Sequence, residues 1–215
     1  MRLPGRKGDK TMRILFQGDS ITEMNRKAAD FYDLGDGYVY YAAQGLREAL
    51  PEKELEFINR GVGGDRTWEM KKRWQEQCID LQPDFVSILI GVNDTWRAFD
   101  QNNPTTAREY EDNYRSMLED VRRHTKAKIL MIEPYLLHDV PEKDAWRPDL
   151  DEKIEACRRL AREFADEYLP LDGLLAAASV HELPAHWAAD GIHPSQAGAK
   201  LIARYYVEAA LPLLK

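Results

Sequence analysis

Only two cysteines, Cys78 and Cys157, occur among the 215 residues. That is too few for a disulfide framework or a zinc-ligand set, and no metal or other cofactor is expected. No stretch approaches the roughly 18 to 20 apolar residues that a membrane span requires. An excess of positive charge is missing as well: 30 Lys and Arg stand against 37 Asp and Glu, a formal net charge of −7. Such a surface argues against a broad nucleic-acid footprint or adhesion to an anionic membrane, while leaving room for a local basic pocket. The opening MRLPGRKGDKTMR has no apolar run behind its charges. It therefore does not read as a secretory leader, and a cytoplasmic protein is expected. Internal repeats and low-complexity linkers are lacking too, as is any shift of composition that would mark a domain boundary.

What is present suits a packed core. Hydrophobic residues make up 44% of the chain and aromatics 10%, and the 31% of charged residues are mixed in sign, which speaks against disorder. The length fits one domain spanning 1–215, with residues 1–12 a peripheral segment. Short apolar runs alternate with longer amphipathic ones. Strands are expected at Arg13–Gln17, Leu55–Ile58, Phe85–Ile90, Lys128–Ile132 and, as a proline-bearing edge strand, Leu169–Leu171. Helices are expected over Tyr38–Leu50, from a Thr67 cap to Leu81, and over Thr106–Arg123. Further helices are read from Asp149 to Tyr168, in Gly173–Val180, and from Ser195 to Leu211. The run Phe85-Val86-Ser87-Ile88-Leu89-Ile90 is apolar almost throughout, as a strand buried on both faces must be. Alternating βα units predict an α/β fold: a mostly parallel sheet of about five strands between two helical layers, in a flavodoxin-like α/β/α arrangement.

Ligands of such sheets bind beyond the carboxyl ends of the strands, near the point where strand order reverses. Three unusual polar segments fall there: Gly18-Asp19-Ser20, Gly63-Gly64-Asp65 and Gly91-Val92-Asn93-Asp94. If the first strand is central with the second and third beside it, these loops are neighbours. Of the five serines, Ser87 lies in a strand, Ser116 in a helix, Ser195 at a helix cap, and Ser179 beside no acid or histidine. Ser20 sits in a glycine loop at a strand end, where a hydroxyl can act as a nucleophile once a base takes its proton. Among the five histidines, His193 has Asp190 three residues before it, close enough on a turn to hold one ring nitrogen.

Each residue also has a plainer reading. Ser20 can be a helix N-cap, Gly64 a turn glycine with positive φ, Asn93 an Asx-turn closing a strand, and Asp190 with His193 a surface turn. Trp96 and Arg97 can contact a ligand or pack within the domain. Arg60 and Arg66 can bind substrate, anchor the glycine turn through ion pairs, or stand in solvent. Trp187 can wall a pocket or anchor its loop. A nucleotide-binding module is a rival class, but the third glycine of G-x-G-x-x-G would have to be Arg66 and no G-x-x-x-x-G-K-[ST] occurs. No G-x-S-x-G surrounds Ser20 either.

Taken in order, Gly18-Asp19-Ser20, Asn59-Arg60-Gly61-Val62-Gly63-Gly64-Asp65, Gly91-Val92-Asn93-Asp94 and Asp190-Gly191-Ile192-His193-Pro194 resemble the four blocks of the SGNH hydrolases, or GDSL esterases. The resemblance spans nearly the whole chain and departs conservatively at Ile21, where the family name has Leu. The texture around Asn93-Asp94-Thr95-Trp96-Arg97 resembles the branch that deacetylates carbohydrates, including acetylxylan-type esterases. The resemblance implies Ser20 as nucleophile, His193 as general base and then acid, and Asp190 as its orienting group. It implies an oxyanion hole of the Ser20 and Gly64 backbone N–H groups and the Asn93 amide, with Asp19 shaping the loop. The expected substrate is a small-molecule or oligosaccharide ester. A broad short-chain esterase or a lysophospholipase- or thioesterase-like enzyme is the alternative. Nothing selects an oligomeric state, and the exposed helices leave a homo-oligomer open.

Overall fold

The computed structural model describes residues 11–138 and 140–215. Among them, five strands form one parallel sheet: β1 (Met12–Gly18), β2 (Leu55–Gly61), β3 (Phe85–Leu89), β4 (Lys128–Ile132) and β5 (Glu167–Leu169). Their order is β2-β1-β3-β4-β5, so the direction of winding reverses at β1, between β2 and β3. Helices α1 (Ser20–Glu23) and α2 (Tyr38–Ala49) precede β2. A short α3 (Thr67–Lys72) and a π-helical turn, Gln75–Ile79, precede β3. Between β3 and β4 lie α4 (Val92–Asp100) and α5 (Ala107–His124), and between β4 and β5 lie α6 (Pro141–Asp144) and α7 (Arg147–Phe164). The chain closes with α8 (Leu171–Ala178), α9 (Pro184–Trp187) and α10 (Gln196–Leu214). This is the expected flavodoxin-like α/β/α arrangement.

Side chains alternate across the sheet and create a core on each face. Ile14 and Phe16 of β1 pack with Phe57, Phe85, and the apolar faces of α2 and α10; Phe16 stacks on Tyr206 with ring centroids 5.0 Å apart. Leu15 points the other way, into a cluster with Ile58, Val86, Ile88, Met70, Tyr114, Met117 and Leu160. Both cysteines are buried in this second core. Truncating Phe16 to Ala would cost about 3–5 kcal/mol, a large share of a domain's net stability.

Several boundaries differ from the sequence expectation. The peripheral segment 1–12 is met only at its end: residues 1–10 lie outside the described residues, Thr11 is buried, and Met12 already pairs with Leu55. β2 continues through Asn59, Arg60 and Gly61, because ladder pairing with β1 carries the polar residues along. The helix expected from a Thr67 cap to Leu81 breaks after Lys72; Arg66 occupies the cap, and the π-turn advances the buried stripe so that Cys78 and Ile79 face inward. β3 stops at Leu89 and α4 begins at Val92, where a loop was expected; its first turn buries Asn93, Asp94 and Thr95, polar residues that hide an inward face from hydrophobic periodicity. β5 lies two residues earlier than expected. Pro170, which has no N–H to donate, stands just past its end. β5 does form an edge of the sheet. Ser195 caps α10, accepting the Gly198 N–H at 3.1 Å.

Candidate active site

β1 ends in Gly18, and Asp19 caps the four-residue α1 by accepting the Ile21 N–H at 3.0 Å. The capping duty therefore falls on Asp19, not on Ser20, which is the first helical residue with its hydroxyl free for another partner. That partner is His193: Ser20 Oγ lies 2.8 Å from Nε2. On the other side of the ring, Nδ1 lies 2.7 Å from Asp190 Oδ2. The second oxygen of Asp190 accepts the backbone N–H groups of Ile192 at 2.9 Å and His193 at 2.7 Å. One carboxylate thus closes the turn and orients the ring. An ionised carboxylate only accepts, so the Nδ1 proton faces Asp190 and bare Nε2 faces the serine hydroxyl.

The titration of the pair follows from these contacts. The hydrogen bond to Asp190 raises the His193 pKa above the ordinary imidazole value, against partial burial. Burial opposes the Asp190 anion, but the His193 side chain and the two backbone N–H groups outweigh it and hold the carboxyl well below the usual range. Asp19, fully buried, is pushed up to about 7 by burial, although the Ile21 N–H and the charge of His193 pull the other way.

The glycine turn after β2 comes against α1. Gly63 donates its N–H to Glu23 at 2.9 Å, and a Cβ on Gly63 would stand 2.7 Å from that oxygen and 3.8 Å from the Ser20 Cβ. Gly64 has φ +84°, and a Cβ there would meet no atom within 4 Å, so the turn borders open space beside Ser20. Asp65 is tied down by Arg73 at 2.6 Å. Asn93 closes the third side. Its amide donates to the Asp65 carbonyl at 3.1 Å, and its own oxygen accepts from Arg97 at 3.4 Å. An amide carries two N–H donors, so one bond to Asp65 fixes the group and leaves the other hydrogen. α4 delivers this residue because Gly91, at φ +140° between Pro134 and Tyr110, lets the chain turn sharply off β3.

The structure thus gathers Ser20, Asp190, His193, Gly64 and Asn93 beyond the ends of β1, β2 and β3. The outlying residues have other neighbours. Trp96 lies 6.1 Å from the His193 ring and 5.5 Å from Trp146 by centroids, with Arg97 and Lys143 over its faces. Arg97 pairs with Asp100 and reaches the Asn93 carbonyl, so it orients that amide. Arg60 lies within β2 and lays its guanidinium 4.1 Å from the Phe31 ring centre; burial, with Arg26 and Arg73 nearby, lowers its pKa to about 10. Arg66 pairs with Glu69 at 2.9 Å and donates to the Asn103 carbonyl at 3.3 Å. Trp187 packs against the core around α10, and its carbonyl accepts the Ser195 N–H at 2.8 Å. Tyr135, Lys143 and Trp146 escaped the sequence reading: they reach the site through contacts distant in sequence, and no motif marks them. Glu23, three residues after Ser20, was not singled out either, and Asp94 was read only as part of the Gly91–Asp94 segment.

Among the described residues no cluster of three or more His, Cys, Asp or Glu is arranged to hold a metal, and no helix is long and apolar enough to cross a membrane. Chemically, the arrangement places a hydroxyl against an imidazole nitrogen able to take its proton, with oriented N–H donors nearby.

The chain is similar to known proteins over most of its length. Residues 16–201 match the model of the GDSL-like lipase/acylhydrolase family. An acetylxylan esterase of Geobacillus stearothermophilus is 32% identical over 203 residues, covering 91% of this chain and 92% of the relative. The crystal structure of Axe2, an acetylxylan esterase from Geobacillus stearothermophilus, superposes with a TM-score of 0.83 at 30% identity, over 92% of this chain and 93% of that one. A protein of Parabacteroides merdae ATCC 43184 described as a GDSL-like lipase gives a TM-score of 0.88 at 33% identity, over 92% and 94% of the two chains.

Proposed function

The chain belongs to the GDSL-like lipase/acylhydrolase family and is a carboxylic ester hydrolase, and on that premise we propose that it removes O-acetyl groups from carbohydrates, with xylo-oligosaccharide-like esters as the substrate class. The observation that carries the catalytic reading is the continuous chain from Ser20 Oγ through His193 to Asp190, with steps of 2.8 and 2.7 Å. The substrate reading is supported by the 32% identity to an acetylxylan esterase across nine-tenths of both chains.

The reaction follows from the contacts. As Ser20 Oγ attacks the acyl carbon, its proton passes to Nε2 of His193. The imidazolium so formed is stabilised by Asp190 across the Nδ1 hydrogen bond. The carbonyl oxygen, now negative, lies against the N–H groups of Ser20 and Gly64 and the second amide hydrogen of Asn93. Donors held in advance stabilise this charge without reorganising during the step. His193 then returns the proton to the departing sugar oxygen, leaving an acetyl-Ser20 ester. A water, deprotonated by His193, attacks that ester, and the proton goes back to Ser20 as acetate leaves.

An acyl-chain series tests the reading. Activity on acetyl esters should exceed that on longer chains steeply, and acetylated xylo-oligosaccharides should show higher kcat/KM than simple alkyl acetates. A preference for long acyl chains would favour a lysophospholipase- or thioesterase-like enzyme instead. Ser20→Ala must abolish turnover of an activated acetyl ester; parental activity in that variant would refute the catalytic assignment.

A further inference from the structure

Three consecutive backbone carbonyls of the Asp190–His193 turn are each held by a donor from the segment between β4 and α7. The Asp190 carbonyl accepts from Lys143 Nζ at 2.5 Å, that of Gly191 from the Leu137 N–H at 2.9 Å, and that of Ile192 from the Tyr135 hydroxyl at 2.5 Å. Lys143 is the charged donor of the three. Its ammonium also lies 3.9 Å from Asp190 Oδ2, the oxygen that faces His193 Nδ1. The indoles of Trp96 and Trp146 flank it, with centroids 5.2 and 5.5 Å from Nζ, and the side chain is only 15% exposed. Lysine ordinarily keeps its ammonium in water on a flexible stem. This one is confined between two rings and a carbonyl.

We propose that Lys143 is a positioning residue for the Asp190–His193 pair, holding the turn by its first carbonyl and setting the charge balance around the imidazole. The proposal rests on the catalytic reading of Ser20, His193 and Asp190 given above. Three charged groups bear on His193: Asp190 from its own turn, Asp19 from the junction of β1 and α1, and Lys143 from α6. The two carboxylates favour the imidazolium and Lys143 opposes it. Near neutrality Asp19 is only partly ionised, so the balance lies mainly between Asp190 and Lys143. Ser20 needs the unprotonated ring. With Lys143 in place, Asp190 orients the ring without holding the proton on it to as high a pH.

The test compares Lys143→Met, which keeps the apolar stem, with Lys143→Gln and Lys143→Arg in the intact chain. Two readouts are taken: the pH profile of kcat/KM on an activated acetyl ester, and NMR titration of the His193 imidazole. Lys143→Met and Lys143→Gln should move the acid-limb midpoint upward by roughly half a pH unit and lower the plateau severalfold. Lys143→Arg should restore a midpoint close to the parent's. If one neutral variant fails to fold, the other supplies the same loss of charge. A uniform fall in kcat/KM with an unmoved midpoint would reduce Lys143 to a structural tie and overturn the proposal, as would an equal shift in Lys143→Arg. Failure of the catalytic reading looks different: His193→Asn would then keep parental activity, while the NMR midpoint in Lys143→Met still moves.

Discussion

Asp94 accepts two hydrogen bonds from one residue: Thr67 donates its backbone N–H at 3.1 Å and its hydroxyl at 2.7 Å. Thr67 begins α3 and Asp94 lies in the first turn of α4, so the helix that carries Asn93 is tied to the helix that follows the Gly64 turn. Both residues are buried, and burial pushes Asp94 up to about 7 against the pull of the Thr67 bonds. Thr67→Val keeps the shape and the N–H but leaves one carboxylate bond unmade. We expect a loss of about 1–3 kcal/mol of stability, and a fall in kcat exceeding any change in KM because Asn93 loses its footing. Urea denaturation with steady-state kinetics checks both; unaltered stability would mean that the hydroxyl contact contributes nothing.

Asn93 itself should act in the transition state. Asn93→Ala is expected to lower kcat on an acetyl ester by about 10²–10³-fold with KM little changed, the loss typical of one oxyanion donor. A variant altered in KM alone would place Asn93 in ground-state binding.

The pH profile should carry the sign of the His193 shift. Because Asp190 raises the imidazole pKa, the acid limb of kcat/KM in the parent should have its midpoint above the ordinary histidine value of roughly 6.5. Asp190→Asn removes the carboxylate and the tautomer it imposes. The midpoint should move down, and kcat should drop by on the order of 10⁴-fold, as in other Ser-His-Asp sites. An unchanged midpoint in that variant would contradict the orienting role.

Asp19 makes a prediction about stability. Its folded pKa of about 7 stands above the unfolded carboxylate value of about 3.9. Its neutral form thus favours the folded state. That contribution is complete below about pH 4 and is lost as pH rises through about 7. Asp94 titrates in the same window, so Asp19→Asn should remove part of the decline and not all of it. Denaturation midpoints of parent and variant at pH 5 and pH 8 decide the matter: the difference between the two proteins must change with pH.

Much of the fold and of the site is legible in the amino-acid sequence. The apolar run at Phe85 announces a strand covered on both faces, and the glycine segments at Gly18, Gly63 and Gly91 mark where the backbone must turn tightly beyond strand ends. Asp190 and His193 are three residues apart, so their pairing is a local matter. Helix α4 escaped notice because its first turn buries Asn93, Asp94 and Thr95, and hydrophobic periodicity cannot register an inward face made of polar groups. The break after Lys72 escaped too, since a π-turn changes the period of the pattern in the middle of a helix.

Local pattern and spacing determine the strands, the rim on which the chemistry lies, and the identity of the polar residues at strand ends. They do so because strand and turn preferences act over a few residues. Tertiary structure alone decides which of those residues meet: Ser20 Oγ comes within 2.8 Å of a histidine 173 positions away. It also decides that Arg97 serves Asn93 while Arg60 turns to Phe31, and that Lys143, marked by no motif, reaches the Asp190 turn. Such contacts depend on how α4, α6 and the loop after β4 pack at the end of the sheet, and two side chains of one chemical type meet different fates according to which face the packing turns them toward.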